Sequence, residues 1–455
     1  MKQLRLRRFY TCWWSISLFL LLLVLPSLSF SLPPTERTTL QNGLRLIVSE
    51  DHSLPFVTFQ LIIDGGSRLD PPDKGGLSYM AARGLLHGTT RHTAQQMSQT
   101  LDFLGASLSS SSSKDYTSVG LRVLKKDLIQ GFNLFMETLT QPVFPEDEFR
   151  REIQRTLGAI KSEEEDPGDL SEKEFTKALF GATPYGHPVI GTEESLARLT
   201  RNDLVSFHDT YIRPNNAILV IVGDVTLHEI KKSLIPGLDS WIDRTVSQPS
   251  LEQSPASGAK ILTKDRAITQ ANIVLGNVGS KRNNPDFFAM VVMNYILGGG
   301  GFSSRLFTEI REKRGFAYSV HSAFDFKKYM GSFSISLQTK NASAREAISI
   351  VLDEIKKMQT EPVTDKELEG ARKYLTGSFP LRLDTQAKLA GFLAQVEFYG
   401  LGVDYADNYA SRILAVTKED VQRVATKYLR PDNYILVVVG NLKEAGFGES
   451  IPTDK

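Results

Sequence analysis

A segment near the middle of the chain is repeated near its end. Residues 199–225 read LTRNDLVSFHDTYIRPNNAILVIVGDV, and residues 416–442 read VTKEDVQRVATKYLRPDNYILVVVGNL, a match without gaps. Each copy predicts a helix, an Arg-Pro turn and a buried strand, because the β-branched runs Ile218–Val222 and Ile435–Val439 are each closed by glycine. A chain with two such copies is constrained to fold as two related units.

Weaker similarity extends the repeat upstream, where Arg68 and Pro71 correspond to Arg282 and Pro285. Between the copies the chain is rich in Ser, Pro and Gln, a composition typical of an exposed linker. At 455 residues the chain is also long enough to bury more than one core. We therefore expect four parts after the N-terminal segment: a repeat at 33–245, a linker at 246–260, a second repeat at 261–445 and a tail at 446–455.

Strands and helices are predicted in mixed order within each copy. Phe56–Ile63 predicts a strand, and Leu77–Leu86, Glu146–Glu163 and Asp203–Tyr211 predict helices. Several strands are joined by turns that are too short for a parallel crossover. The predicted fold class is therefore α+β, with two homologous repeats whose antiparallel or mixed sheets are covered by helices.

The charge balance argues against a nucleic-acid partner. The chain has 53 Lys and Arg residues against 52 Asp and Glu residues, and no basic stripe stands out. We expect no DNA or RNA to bind.

The first residues differ in composition from the rest of the chain. A basic start precedes the apolar run Ile16–Leu25, which predicts a signal peptide at residues 1–31. The alternative is a retained N-terminal anchor, because Trp13–Phe30 is 18 residues long. Cys12 is the only cysteine and lies in this segment, so a mature chain would contain no thiol. We expect export to a periplasmic or extracellular location, with no stable membrane span after signal removal.

Residues 75–90 read GGLSYMAARGLLHGTT, and this segment resembles the GLxHFLEHMxFxGT motif of the pitrilysin/insulinase family and mitochondrial processing peptidase. In that inverted zinc motif two histidines bind one metal ion and a glutamate activates water. Alignment on Gly88 and Thr89 places Tyr79, Ala82 and Arg83 at those three positions. Tyrosine is a poor zinc ligand near neutral pH, alanine is no base, and arginine repels a cation.

The third zinc ligand of the family, a glutamate, aligns near Gly158 or Ala159 and is also missing. His87 and His92 are five positions apart, which does not place two imidazoles on one helical face. We therefore expect no catalytic residue and no metal in this chain. The resemblance implies that zinc belongs to a partner subunit that carries His-x-x-Glu-His.

Residues 298–324 read GGGGFSSRLFTEIREKRGFAYSVHSAF, which resembles the family pattern GGxxSSRLFxxIREKxGLAYSV. The resemblance implies that Arg311 and Tyr318 bind the substrate backbone. It also implies that the glycine-rich loop, with Gly299, Gly300 and Gly301, contacts substrate. The residues alone leave an alternative open, in which Arg311 complements the helix dipole and Tyr318 packs on one strand face.

Taken together, the resemblance implies one half of a clamshell whose catalytic half is a second, homologous chain. The predicted function is that of a non-catalytic, substrate-binding subunit of an exported heteromeric zinc metallopeptidase that cleaves peptides or unfolded protein segments. Two alternatives stay open at this point. The chain could be an inert structural or binding module of the same fold, or a peptidase with an unrecognised metal site.

Overall fold

The computed structural model describes residues 33–181, 183–247 and 258–448. The predicted signal peptide, the centre of the predicted linker and the end of the predicted tail lie outside these residues. From Pro34 onward, the described residues belong to one compact unit. Within them, no helix combines the length and the apolar composition that crossing a membrane requires.

The first sheet is mixed and has the strand order β1-β2-β6-β3-β5-β4. Its strands are β1 Thr35–Thr39, β2 Arg45–Glu50, β3 Phe56–Ile63, β4 Ser107–Ser112, β5 Thr117–Leu124 and β6 Ala217–Gly223. Strands β2 and β6 pair in parallel, and the other neighbouring pairs of this sheet are antiparallel. Strand β6 is buried along its whole length, as its β-branched sequence predicts.

The second sheet repeats this arrangement without the outer strand, in the order β7-β11-β8-β10-β9. Its strands are β7 Lys260–Asp265, β8 Gln270–Val278, β9 Ala317–Asp325, β10 Ser332–Lys340 and β11 Ile435–Gly440. Here β7 and β11 form the parallel pair. Strands β4 and β9 therefore occupy equivalent edges of the two sheets.

Helices cover both sheets, and the α+β prediction is confirmed. In the first half they are α1 Leu77–Gly84, α2 Ala94–Leu104, α3 Leu128–Thr140, α4 Glu146–Glu165, α5 Pro167–Phe180, α6 Glu193–Ala197, α7 Arg201–Tyr211, α8 Leu227–Ser233 and α9 Ile235–Asp239. In the second half they are α10 Phe287–Asn294, α11 Ala344–Thr360, α12 Asp365–Ser378, α13 Gln386–Phe398, α14 Tyr405–Ala415 and α15 Lys418–Tyr428.

The repeated helices begin at the same capping box. Thr200 accepts a hydrogen bond from the backbone of Asp203 before α7, and Thr417 accepts one from Asp420 before α15; each aspartate side chain accepts the reciprocal bond. These bonds satisfy backbone N–H groups that a helix start otherwise leaves unpaired. The same local chemistry therefore sets both helix starts.

Two helices are exchanged between the halves. Helix α5 packs on β8 and β11 of the second sheet, where Leu170, Phe175 and Leu179 join the core around Val437. Helix α13 of the second half packs on β3 and β6 of the first sheet. Each sheet is thus covered in part by a helix from the other half.

A buried carboxylate, Asp115, links the two halves of the chain. It is 1% exposed and accepts hydrogen bonds from the hydroxyl groups of Tyr185 and Tyr399 and, at 2.8 Å, from the backbone N–H of Lys328. Tyr185 belongs to the first half, and the other two donors belong to the second. This network ties both halves to one buried acceptor.

Candidate functional site

The degenerate zinc motif lies on α1. Tyr79 is half-buried against the hydrophobic core of the first half, and Ala82 is buried. Helix α1 ends at Gly84, two residues earlier than predicted. A side chain at Gly84 would meet the ring of Phe144 at 2.6 Å, so this close approach excludes a larger residue there.

Arg83 pairs with a buried carboxylate on α4. Its Nε donates a hydrogen bond of 2.9 Å to Oε1 of Glu152, whose side chain is only 2% exposed. Arg155 donates a hydrogen bond of 2.7 Å to the other oxygen, and Nε2 of His87 lies 3.6 Å from it. Burial lowers the pKa of His87, which keeps this imidazole neutral at pH 7.

The residues at the zinc positions do not fit a zinc ion. Ala82 offers no ligand atom, and the guanidinium of Arg83 places a fixed positive charge against the carboxylate of Glu152. In the described part of the chain, no group of three or more His, Cys, Asp or Glu residues is arranged to hold a metal ion.

The position that aligns with the third zinc ligand lies on α4, the helix that carries Glu152. Gly158 and Ala159 are exposed, and Ala159 is two turns beyond Glu152 on the same side of α4. Neither carries a side chain that binds metal. His92 pairs instead with Glu137, at 2.9 Å, so His87 and His92 contact different carboxylates.

Sequence reasoning missed Glu152, although a signal was present. On α4 the buried positions Phe149, Glu152, Thr156 and Ile160 recur at helical spacing. Glu152 is the charged member of that otherwise uncharged face. A charged residue at a core position of an amphipathic helix indicates a partner across the interface.

Arg311 and Tyr318 are brought together in the second half. Nη1 of Arg311 donates a hydrogen bond of 3.1 Å to the carbonyl oxygen of Tyr318, and its guanidinium lies 4.6 Å from the ring centroid. Gly315, with φ of 64°, makes the turn between them. Tyr318 is 80% exposed, which argues against the alternative in which its side chain packs on one strand face.

The segment that carries Arg311 is wound more widely than a regular α-helix. Its turn Phe307–Glu312 is a π-helix instead of a regular α-helix. Tyr295–Gly299 is also a π-helix, and its last residue belongs to the glycine-rich loop. Wide turns of this kind are rare and recur at functional sites. Arg311 lies within the second of these two wide turns.

The glycine-rich loop has local structural reasons for its glycines. Gly301 has φ of 56°, a conformation that favours glycine. A Cβ at Gly300 would meet the carbonyl oxygen of Tyr295 at 2.6 Å, and one at Gly299 would meet the Asn294 side chain at 2.5 Å. These contacts explain the sequence without a ligand, so the predicted contact of Gly299, Gly300 and Gly301 with substrate stays a prediction.

The fold and the degenerate motif together define a non-catalytic homologue of a zinc peptidase. Residues 45–193 match the family model described as insulinase (peptidase family M16), and residues 198–375 match the model described as the peptidase M16 inactive domain. The chain therefore belongs to peptidase family M16. This confirms the resemblance that the two sequence motifs indicated.

Relatives and solved structures agree with this assignment. An uncharacterized zinc protease of Streptomyces coelicolor is 29% identical over 90% of this chain and 90% of its own length. A Helicobacter pylori protein named non-peptidase homolog YmxG is 26% identical over 90% of this chain and 95% of its own length. The crystal structure of a peptidase M16 inactive domain from Pseudomonas fluorescens superposes with a TM-score of 0.84 at 27% identity, covering 89% of this chain and 98% of that one.

Proposed function

We propose that this chain is the substrate-binding subunit of an exported heteromeric zinc metallopeptidase. The observation that supports the proposal best is the contact between Arg311 and Tyr318 on the surface of the second half. Arginine presents several N–H donors in a planar fork, and the tyrosine hydroxyl adds one more. Both suit the carbonyl oxygen of a peptide backbone.

The position of the pair favours an extended peptide. Tyr318 lies near the start of β9, which pairs with β10 and forms one edge of the second sheet. An edge strand has unpaired backbone groups that a peptide can join as an added strand. A segment bound along β9 would pass directly by Arg311.

The zinc would come from a homologous partner chain that carries His-x-x-Glu-His. Arg83 and Ala82 make the corresponding site of this chain unsuited to metal, so the substrate-binding groups and the metal would lie on different chains. Substrates would be peptides or unfolded protein segments, since only these can extend along a strand edge.

Mixing experiments with the partner test this function. The complex should cleave peptides, and Arg311→Ala should lower kcat/KM by roughly ten- to a hundredfold, the value of a charge-assisted hydrogen bond to substrate. Arg314→Ala is the matched control, because Arg314 lies on the same segment and already pairs with Glu309 at 2.8 Å. Size-exclusion chromatography should show an intact complex for both variants.

Two results would contradict the proposal. If Arg311→Ala cleaves at the wild-type rate, the chain is an inert module of the fold. If activity falls only because the complex dissociates, Arg311 belongs to the interface between the subunits.

Export is the second part of the proposal, and it is supported by the basic start and the apolar run at Ile16–Leu25. N-terminal sequencing of the protein from its host should show a chain that begins near residue 32. An intact Met1 in a membrane fraction would instead identify the segment as an anchor.

A further inference from the structure

Three aromatic rings surround the guanidinium of Arg311. Their centroids lie 4.6 Å (Tyr318), 4.8 Å (Phe307) and 5.7 Å (Phe302) from its central carbon. Phe307 is buried, whereas Phe302 is 75% exposed and Tyr318 is 80% exposed. Two large aromatic side chains therefore stand in solvent beside one cation.

The outward position of Phe302 is fixed by its surroundings. It follows Gly301 in a turn in which the hydroxyl of Ser303 donates to the carbonyl of Gly300 at 3.0 Å and that of Ser304 donates to Gly301 at 2.7 Å. Its ring packs edge-on against Phe307, with 4.8 Å between centroids. A fixed aromatic ring loses little conformational entropy when it binds a ligand, so it makes an efficient contact surface.

Arg311 keeps N–H donors for a ligand. Among the residues that the structure describes, its hydrogen bond goes from Nη1 to the carbonyl of Tyr318. The nearby carboxylate of Glu309 is already paired with Lys313, at 2.5 Å, and with Arg314. Across the described ranges no carboxylate forms an ion pair with Arg311.

We propose that Phe302 and Tyr318 form an apolar subsite that selects peptides with a bulky apolar side chain beside the carbonyl held by Arg311. The inference rests on the proposed function, because it specifies the substrate class of that same site. The ligand is an extended peptide, because this surface matches three features of such a peptide. The guanidinium suits its carbonyl, the β9 edge suits its backbone, and the two rings suit a Phe, Tyr, Leu or Ile side chain.

Peptide binding to the mature chain, residues 32–455, tests this subsite. The probe is a labelled host peptide of about ten residues, built from Gly, Ser and Ala, with one central guest residue: Phe, Leu, Ala or Asp. Fluorescence anisotropy gives Kd for each guest. We expect the Phe guest to bind roughly five- to tenfold more tightly than the Ala guest, as an added aromatic contact implies.

The variants separate the side-chain subsite from the backbone contact. Phe302→Ala should reduce the Phe-to-Ala preference to about twofold or less while the Ala guest binds as before. Phe302→Leu should keep most of the preference, since an apolar side chain of similar size remains. Arg311→Ala should raise the Kd of all guest peptides by a similar factor. Phe103→Ala is the matched control: Phe103 is 85% exposed on α2 in the first half and should change nothing.

The outcomes distinguish the two proposals. If no guest binds measurably, the proposed function and the subsite both fail. If all guests bind with an Arg311-dependent Kd but without preference, or if the preference survives Phe302→Ala, the substrate-binding function stands and the subsite is wrong. If Phe302→Ala weakens the Phe and Ala guests equally, Phe302 only supports the loop and the subsite is likewise wrong.

Discussion

Arg83 on α1 and Glu152 on α4 form an ion pair with 2.9 Å between Nε and Oε1. The resemblance to the inverted zinc motif puts Arg83 at the position of the second zinc-binding histidine. A cation that is part of the chain therefore neutralises the buried carboxylate at this place. One residue thus stands at a ligand position of the family motif and pairs with a buried carboxylate.

The first prediction concerns metal content. The mature chain should retain no stoichiometric zinc after dialysis and should cleave no peptide alone, because Arg83 repels a divalent cation. Inductively coupled plasma mass spectrometry on the purified chain measures this, with the zinc-bearing partner treated identically as the control. Near-equimolar zinc with chelator-sensitive cleavage would show an unrecognised metal site.

The second prediction concerns the stability of the ion pair. Arg83→Ala should lower the free energy of unfolding by about 1–2 kcal/mol, because Glu152 keeps Arg155 and His87 as neighbours and Arg83 is partly exposed. Urea unfolding measures the change. Arg150→Ala, which breaks an exposed pair with Glu146 on the same helix, should cost less than about 0.5 kcal/mol.

The same urea unfolding experiment also tests whether apolar side chains can replace the ion pair. The double variant Arg83→Met, Glu152→Leu should be close to wild type or more stable, since apolar side chains avoid the desolvation of both charges. A double variant that is less stable than Arg83→Ala alone would contradict this account.

The sequence predicts those parts of the fold that depend on local chemistry. Strands β6 and β11 follow from their β-branched runs, and the starts of α7 and α15 follow from Thr200 and Thr417, whose capping boxes recur in both copies. The degenerate motif could be placed on a helix because apolar and small residues surround Tyr79. These features need no knowledge of distant contacts.

The exchange of α5 and α13 could not be predicted in this way. An amphipathic pattern shows that Leu170 and Phe175 face a core, but it does not show which of two similar sheets supplies that core. Glu152 could have been found from its place on the buried face of α4. The π-turn that carries Arg311 has no simple sequence signal.

The third prediction follows from the exchange. A fragment with residues 33–245 should not fold alone, because its sheet lacks α13 and the apolar face of α5 lacks its sheet. Circular dichroism and urea titration should show no cooperative transition for the fragment and one shared transition for the mature chain. Co-expression of 33–245 with 258–448 is the control and should restore a folded complex. Independent folding of either fragment would contradict the prediction.

The last prediction concerns Asp70, which precedes α1 in the chain and is buried beside its N-terminal end. Its carboxylate accepts hydrogen bonds from the backbone N–H groups of Gly76, at 2.9 Å, and Ser78, at 2.8 Å. Burial raises the pKa of Asp70 to about 7, although these bonds and the charge of Lys114 lower it in part. In the unfolded chain its pKa is about 3.9, so the folded state binds the proton more tightly. The stabilisation from this proton is fully present below about pH 4 and is lost as pH rises to about 7.

Wild type should therefore lose unfolding free energy relative to Asp70→Asn over this interval, by on the order of 2–4 kcal/mol. Asparagine keeps an oxygen that accepts one of the two N–H groups but carries no titrating proton. Because both proteins contain the same other groups that titrate between about pH 4 and 7, the contribution of those groups cancels in the comparison. Burial lowers the pKa of Lys114 to about 8, so the measurements also end below the pH range in which Lys114 changes charge. Urea unfolding of both proteins at about pH 5, 6 and 7 measures the difference. A difference that does not change with pH would show that Asp70 is ionised throughout, held in that form by the two N–H groups and by Lys114.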